Sequence, residues 1–371
     1  MILTGKKFMN LTVNRNMTIQ LLQIIGSPFT SPINLAYFPD NHIRQLFKLA
    51  FQNRVELLFL DALNRLKKIR GLEQEYIKLK NRHAMTLSVI AKACYHLGAS
   101  NIPYVVFKSI KPYPATPNDT DILCLGNAED YKKGMDAFFE AGYKEHGVAP
   151  LQTNIYDPRG EGKIGPGKKG GIYYIDFYQD VATDYFVYIN KKRLVPFVRD
   201  HEVNAVSTNV LAPEPELGIV LFHNVIPEKT FHLEHFYLPL YRFSDPSFNI
   251  ETFCQFVENN QLVVPVRANL SLIEALHKKA FAMVPRPILM LLNRWSREKS
   301  ETDRLIQGKI SVPYYFTKSI FCKAFLFKLR DPNSVKSIFN QGFHMLNPKF
   351  AADALRSFSR RILGHEKYVH E

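Results

Sequence analysis

Long apolar runs are missing from this 371-residue sequence: no stretch reaches 18 uninterrupted apolar residues, so nothing in it reads as a membrane span. The opening MILTGKKFMNLTVNRNM carries Lys and Arg without the apolar core and small-residue cleavage site of a signal peptide. The expectation is a chain neither exported nor membrane-spanning. Cysteine is scarce. Cys94, Cys124, Cys254 and Cys322 lie far apart with no CxxC pair, which argues against a zinc knuckle, a redox dithiol and a disulfide framework, and points to a reducing cytoplasm. Internal repeats and low-complexity tracts are absent, and so are the GxxxxGK[ST] and GxGxxG phosphate loops.

What is present favours a globular protein with a sizeable core. The hydrophobic fraction is 46%, the charged fraction 22%, and 28 Phe with 18 Tyr supply apolar area, which excludes global disorder and a coiled coil. The length suits two or three domains. The formal charge of +14 is uneven: Val263 to Glu371 holds 19 Lys and Arg against 8 Asp and Glu, and the first 262 residues hold 29 against 26. A polyanion such as RNA is therefore expected at the C-terminal third, unless the surplus only aids solubility.

Periodicity divides the chain. Residues 41–79 follow a helical pattern, and a helix is expected from His83 to His96 with Gly98 as its C-cap. NIPYVVFK reads as a buried strand, TDILCL as another β run, and EDYKKGMDAFFEAGY as an amphipathic helix ending at Gly142, with Tyr131, Met135, Phe138 and Phe139 on its apolar side. The segment from Asp157 to Gly171 holds six glycines and two prolines and reads as a loop between strands. IYYIDFYQDV, VRDHEVNAV and NVL follow as extended pieces, and PEPELGIVLFHNVIP opens a helical region running to the C-terminus. The expected class is α+β: an N-terminal helical region over 1–82, an α/β core over 83–208 and a helical, basic C-terminal domain over 209–371.

Asp119 and Asp121 stand two apart in NDTDIL, so a strand puts both carboxylates on one face and Thr120 and Ile122 on the other. Two adjacent like charges need compensation. Mg²⁺ supplies it and takes substrate phosphate oxygens as well, whereas two solvated acids at a strand end are the plainer reading.

The context of that pair carries a resemblance. VVFKS (105–109), Tyr113-Pro114, DTDIL (119–123), YYIDF (173–177) and NVLAPEPELGIVLFHNV (209–225) together resemble the nucleotidyltransferase-like branch of the DNA polymerase β superfamily, over roughly Met85 to Tyr241. The resemblance implies a polymerase β-like mixed-sheet core and transfer of a nucleoside monophosphate from an NTP, as in ATP binding, to a hydroxyl. It makes Asp119, Asp121 and Asp176 the catalytic residues and the ligands of Mg²⁺ or Mn²⁺, with Asp180 as a rival to Asp176. By their own chemistry Lys108 and Ser109 are expected at the nucleotide phosphates, Lys108 as a point charge and Ser109 through its hydroxyl and backbone donor. Two departures stand out: Lys108-Ser109 replaces the usual Gly-Ser or Gly-Gly, and Asn118 stands where the branch often has Arg.

The remaining candidates divide between function and plain structure. Arg159, Lys163, Lys168 and Lys169 in the glycine-rich loop suit either a fold over a nucleotide or a hairpin connection, the latter preferred for want of a phosphate-loop motif. His223, His232 and His235 lack metal-ligand spacing and read as helix and loop histidines. Phe316, Ile320, Phe321, Ala324 and Phe325 recur at helical spacing beside Lys318, Lys323, Lys328 and Arg330, the pattern of a core-facing helix with a cationic outer face. Arg356, Arg360 and Arg361 add to that charge. Two other functions accommodate the DxD: a metal-dependent glycosyltransferase, which leaves Asp176 without a role, and a nucleotidyltransferase-like binding module without chemistry.

Overall fold

The computed structural model describes residues 16–30, 40–117, 119–159, 173–183 and 185–344, with 346, 348, 351 and 352. Asn118, residues 160–172 of the glycine-rich region, and Arg356, Arg360 and Arg361 lie outside the described residues.

The expected N-terminal helical stretch is broken into α1 (Met17–Ile25), α2 (Asp40–Gln52), α3 (Glu56–Arg65) and the long α4 (Glu73–Ala99). The break between α2 and α3 is made by Arg54 at φ 58°. Helix α4 begins ten residues ahead of the expected start, because the charged EQEYIKLK run is a solvated helix with Glu73 and Glu75 in its first turn, where they complement the helix dipole. Its end is set by Asn101 at φ 53°, not by Gly98, which stays helical. The Ile102 N–H reaches back to the Leu97 carbonyl at 3.0 Å, closing a Schellman-type end, and Asn tolerates the left-handed position.

The α/β part follows as β1 (Tyr104–Val106), β2 (Asp119–Cys124), α5 (Ala128–Glu140), β3 (Lys144–Ala149), β4 (Gln152–Tyr156), β5 (Tyr174–Tyr178), a small β6 (Val181–Thr183) and β7 (Phe186–Ile189) hairpin, β8 (Val198–Val203) and β9 (Val206–Leu211). Seven of these form one mixed sheet in the order β3-β4-β5-β2-β1-β9-β8. Strand β2 runs antiparallel to β1 and parallel to β5. VRDHEVNAV becomes a tight hairpin, with Asn204 and Ala205 both at positive φ in its two-residue turn.

Alternation along the strands sorts residues onto two faces. Tyr104, Val106, Ile122, Cys124, Ile175 and Phe177 pack with Ile90, Cys94, Leu97 and Phe138 of α4 and α5. Helix α5 is started by Asn127, whose side chain accepts from the Glu129 and Asp130 N–H groups, and it buries Met135 and Phe138. Phe139, expected on the same side, is 43% exposed, since one further residue turns it away from the sheet.

The opposite face receives the rest of the chain: α6 (Pro213–His223), β10 (Thr230–Phe231), α7 (Leu233–Ser244), α8 (Ile250–Asn259), α9 (Val263–Phe281), α10 (Arg286–Trp295), α11 (Lys299–Gln307), β11 (Tyr314–Tyr315), α12 (Lys318–Lys328) and α13 (Pro332–His344). Val105, Phe107 and Leu123 of the sheet share one core with α1, α3, α6, α7 and α9. The expected 208/209 boundary falls inside β9. Helix α12 buries Ile320 and Ala324 as its spacing foretold, but Lys328 is not on the cationic face. It is buried, 2.7 Å from Asp331, and donates to the Asn260 carbonyl. No helix among the described residues is long and apolar enough to cross a membrane.

Candidate active site

Strand alternation delivers the acids to the face opposite α4 and α5. Asp119, Asp121 and Leu123 leave β2 on that side, and the parallel register sets Asp121 opposite Asp176 and Asp119 opposite Tyr174 on β5. The three carboxylates predicted from the DxD and YYIDF segments are therefore neighbours on two adjacent strands. Asp180 lies beyond β5 in the turn towards β6, where the charge acting on it is that of Lys191.

Lys108 stands at a bend after β1 with φ 64°, a conformation a non-glycine residue adopts at a cost of order 1–3 kcal/mol. Its N–H donates to Glu216 Oε1 at 3.0 Å. Glu216, in the first turn of α6, is also ion-paired with Arg242 of α7. The Lys108 ammonium lies 2.9 Å from Asp121 Oδ1, above the rings of Phe107 and Tyr178. Burial alone would make that ammonium easier to deprotonate. The Asp121 carboxylate outweighs it and holds Lys108 charged.

Ser109 departs from its expected role. It is 4% exposed, its Oγ accepts the Asp121 N–H at 2.7 Å, and its hydroxyl donates to the Phe107 carbonyl at 3.3 Å. The hydroxyl is thus spent on fixing β2 against the bend instead of facing a phosphate. A cavity of about 250 Å³ beside this bend, lined by Val106, Ile110, Arg199, His201, Glu216 and Arg242 among others, is lined by none of the three acids.

Asp176 is gripped by β4: Gln152 donates to Oδ2 at 2.7 Å and Asn154 to Oδ1. Burial, then the charges of Asp121 and Asp119, still push its carboxyl up to about 8. Burial and the Asp121 charge likewise raise Asp119 to about 6. These shifts express one fact: three carboxylates against one ammonium leave two uncompensated charges in a confined space.

That donor set of hard oxygens fits a single divalent cation such as Mg²⁺ or Mn²⁺ in charge and chemistry. It is not a ready-made cage: among the described residues no group of three His, Cys, Asp or Glu side chains stands in ligating geometry. Lone pairs of Asp121 and Asp176 are committed to Lys108, Gln152 and Asn154.

An outer ring comes from elements distant in sequence. Arg54 is 3.3 Å from Glu228 and 3.6 Å from Glu234, and Lys111 is 3.0 Å from Glu234. Burial would raise Glu234, but Lys111 and Arg54 bring it down to about 2. Arg54 and Glu228 also act electrostatically on Asp119, so the N-terminal helices reach the acids. The three histidines have protein partners: His223 meets the Tyr188 hydroxyl at 3.1 Å, His232 the Gln52 carbonyl at 3.2 Å, and His235 accepts the His232 N–H at 3.1 Å. Burial, chiefly, lowers them to about 3, 4 and 3, so they are neutral hydrogen-bonding groups at pH 7.

Sequence reasoning missed Gln152, Asn154, Glu216 and the Arg54 ring. The alternation in QTNIY, which places both amides on one face, was the available signal for the first two. Comparison of the chain with protein-family models, with curated proteins and with solved structures gives no match.

Proposed function

We propose that the protein is a metal-dependent nucleotidyltransferase that moves a nucleoside monophosphate from an NTP such as ATP to a hydroxyl acceptor. The observation that carries the reading is the β2–β5 register, with Asp119 and Asp121 on one face and Asp176 opposite Asp121. In this reading the three carboxylates hold Mg²⁺ or Mn²⁺, which supplies charge neutralisation and Lewis acidity at the triphosphate. Lys108 offers a positive charge beside them. Asp176, opposite Asp121 on β5, would as the metal-held carboxylate receive the proton as the acceptor oxygen attacks the α-phosphorus and pyrophosphate leaves. A polyanionic acceptor such as RNA suits the basic C-terminal third, with an affinity that falls as salt rises.

Incubation with Mg²⁺, each labelled NTP, and RNA and protein extract tests the reading through covalent label and released pyrophosphate. Asp119→Asn and Asp121→Asn are each expected to lower turnover about 100-fold or more without unfolding the chain. A wild-type rate in either variant removes the metal-platform argument.

A second reading, a nucleotide-binding module without chemistry, is favoured by one observation. The Lys108 ammonium and the Ser109 hydroxyl, both expected at the phosphates, already serve Asp121 and the backbone of β2 and the bend. Tight NTP binding with no pyrophosphate release selects it.

A further inference from the structure

We infer that His146, Tyr156 and Tyr174 form a stacking site for the nucleobase, on the same sheet face as the acids. The inference rests on the nucleotidyl-transfer reading and says where the base of its NTP is held.

Tyr174 is the register partner of Asp119, one strand away, and strand alternation sends both side chains to one face. The spacing between neighbouring strand backbones is about 4.8 Å, a distance a ribose spans. Tyr156 meets Tyr174 edge to face, with centroids 6.4 Å apart and planes at 79°. His146 comes from the next strand over, at the register shift between Glu145 and Gly147, where β3 carries an extra residue against β4. Bulges re-aim side chains, and here the His146 ring lies over Tyr174 at 4.4 Å with a 35° tilt.

The exposure of these rings separates them from core aromatics. Tyr178, two residues along the same face of β5, is buried and packs edge to face on Phe107. His146 is exposed, and Tyr156 and Tyr174 are half-buried, so among the described residues the cluster ends in an exposed planar ring. Cross-strand aromatic pairs also stabilise sheets. That role accounts for Tyr156 against Tyr174 but not for an exposed imidazole turned onto them through a bulge. Every nucleobase has a π face, so the site is expected to accept all four bases with little preference.

Calorimetry on the full chain with Mg²⁺ compares ATP, GTP, CTP and UTP with inorganic tripolyphosphate, which has the phosphates and no base. The wild type is expected to bind each NTP at least about tenfold more tightly than tripolyphosphate. His146→Ala with Tyr174→Leu is expected to bring ATP down to the tripolyphosphate level while tripolyphosphate itself binds as before. Tyr174→Phe retains the preference. His146→Ala alone, at an exposed position, gives a partial loss and guards against misfolding of the double variant. Equal binding of ATP and tripolyphosphate by the wild type, or an ATP preference that survives the double variant, overturns the stacking site and leaves the phosphate site standing. Binding of neither compound overturns both.

Discussion

Asp176 sits between opposing demands. The Gln152 and Asn154 amides donate to its oxygens and favour the carboxylate, whereas burial and the neighbouring Asp121 and Asp119 favour the acid. The acid side prevails, with a folded pKa of about 8 against about 3.9 in an unfolded chain. A carboxyl whose folded pKa is raised adds stability that is complete below the unfolded value and is lost as pH climbs through the folded one. With a chelator present, the melting temperature is therefore expected to decline between about pH 4 and pH 8 partly on account of this one group. Asp176→Asn, which keeps the shape and removes the titration, flattens that decline and melts a few °C higher than the wild type at pH 8. Parallel pH profiles for the two proteins would show that the strain lies elsewhere. Asp119 and Asp121, two residues apart, were legible because a strand's period of two puts alternate residues side by side. The amides that grip Asp176 were not, because their contact depends on which strand pairs with β5.

At the level of elements, α6 holds the Lys108 bend in place. Glu216 is 5% exposed and spends one oxygen on the Lys108 N–H and the other on Arg242. Glu216→Ala leaves the Arg242 cation without its carboxylate in a largely buried position and frees a residue held at positive φ. The expected cost is about 3–5 kcal/mol, read from denaturant unfolding, with weaker NTP binding as the bend relaxes. A loss below about 1 kcal/mol would mean that the bend is held by the Lys108–Asp121 pair alone. No local pattern announces this contact, since 108 residues separate its ends. Legibility elsewhere followed hydrophobic patterning. Strands β2 and β5 and helix α5 bury apolar positions at their own periods and were readable. Strand β3 is mostly exposed, so KEHGVA shows no alternation to read. The first half of α4 is solvated and hid its helicity in charge.

Across the whole molecule, the chain's two helical ends are one body. Helix α1 buries Ile19, Leu21, Leu22, Ile24 and Ile25 in the core that also contains α9. Polar contacts tie the same surfaces: Gln23 donates to the Ala280 carbonyl at 3.0 Å, and Ser27 meets His277 at 2.9 Å. The described part of the basic C-terminal third, separate in composition, is thus not separate in packing. A fragment of residues 263–371 would expose the apolar faces that α1, α6 and α7 now cover, so polyanion binding has to be measured on the full chain. The five α1 side chains alone contribute roughly 8–15 kcal/mol of burial, at about 1.5–3 kcal/mol each. That is as large as the whole net stability of an ordinary domain, about 5–15 kcal/mol. Deleting residues 1–26 is therefore expected to abolish the cooperative thermal transition followed by circular dichroism, and not merely to lower its midpoint. Because α1 packs on α3, whose leading corner carries Arg54 to the acid cluster, the same deletion is expected to remove the NTP binding proposed above. A truncated chain that melts cooperatively within a few °C of the full one would show that the N-terminal helices are an accessory to the site and not part of its foundation.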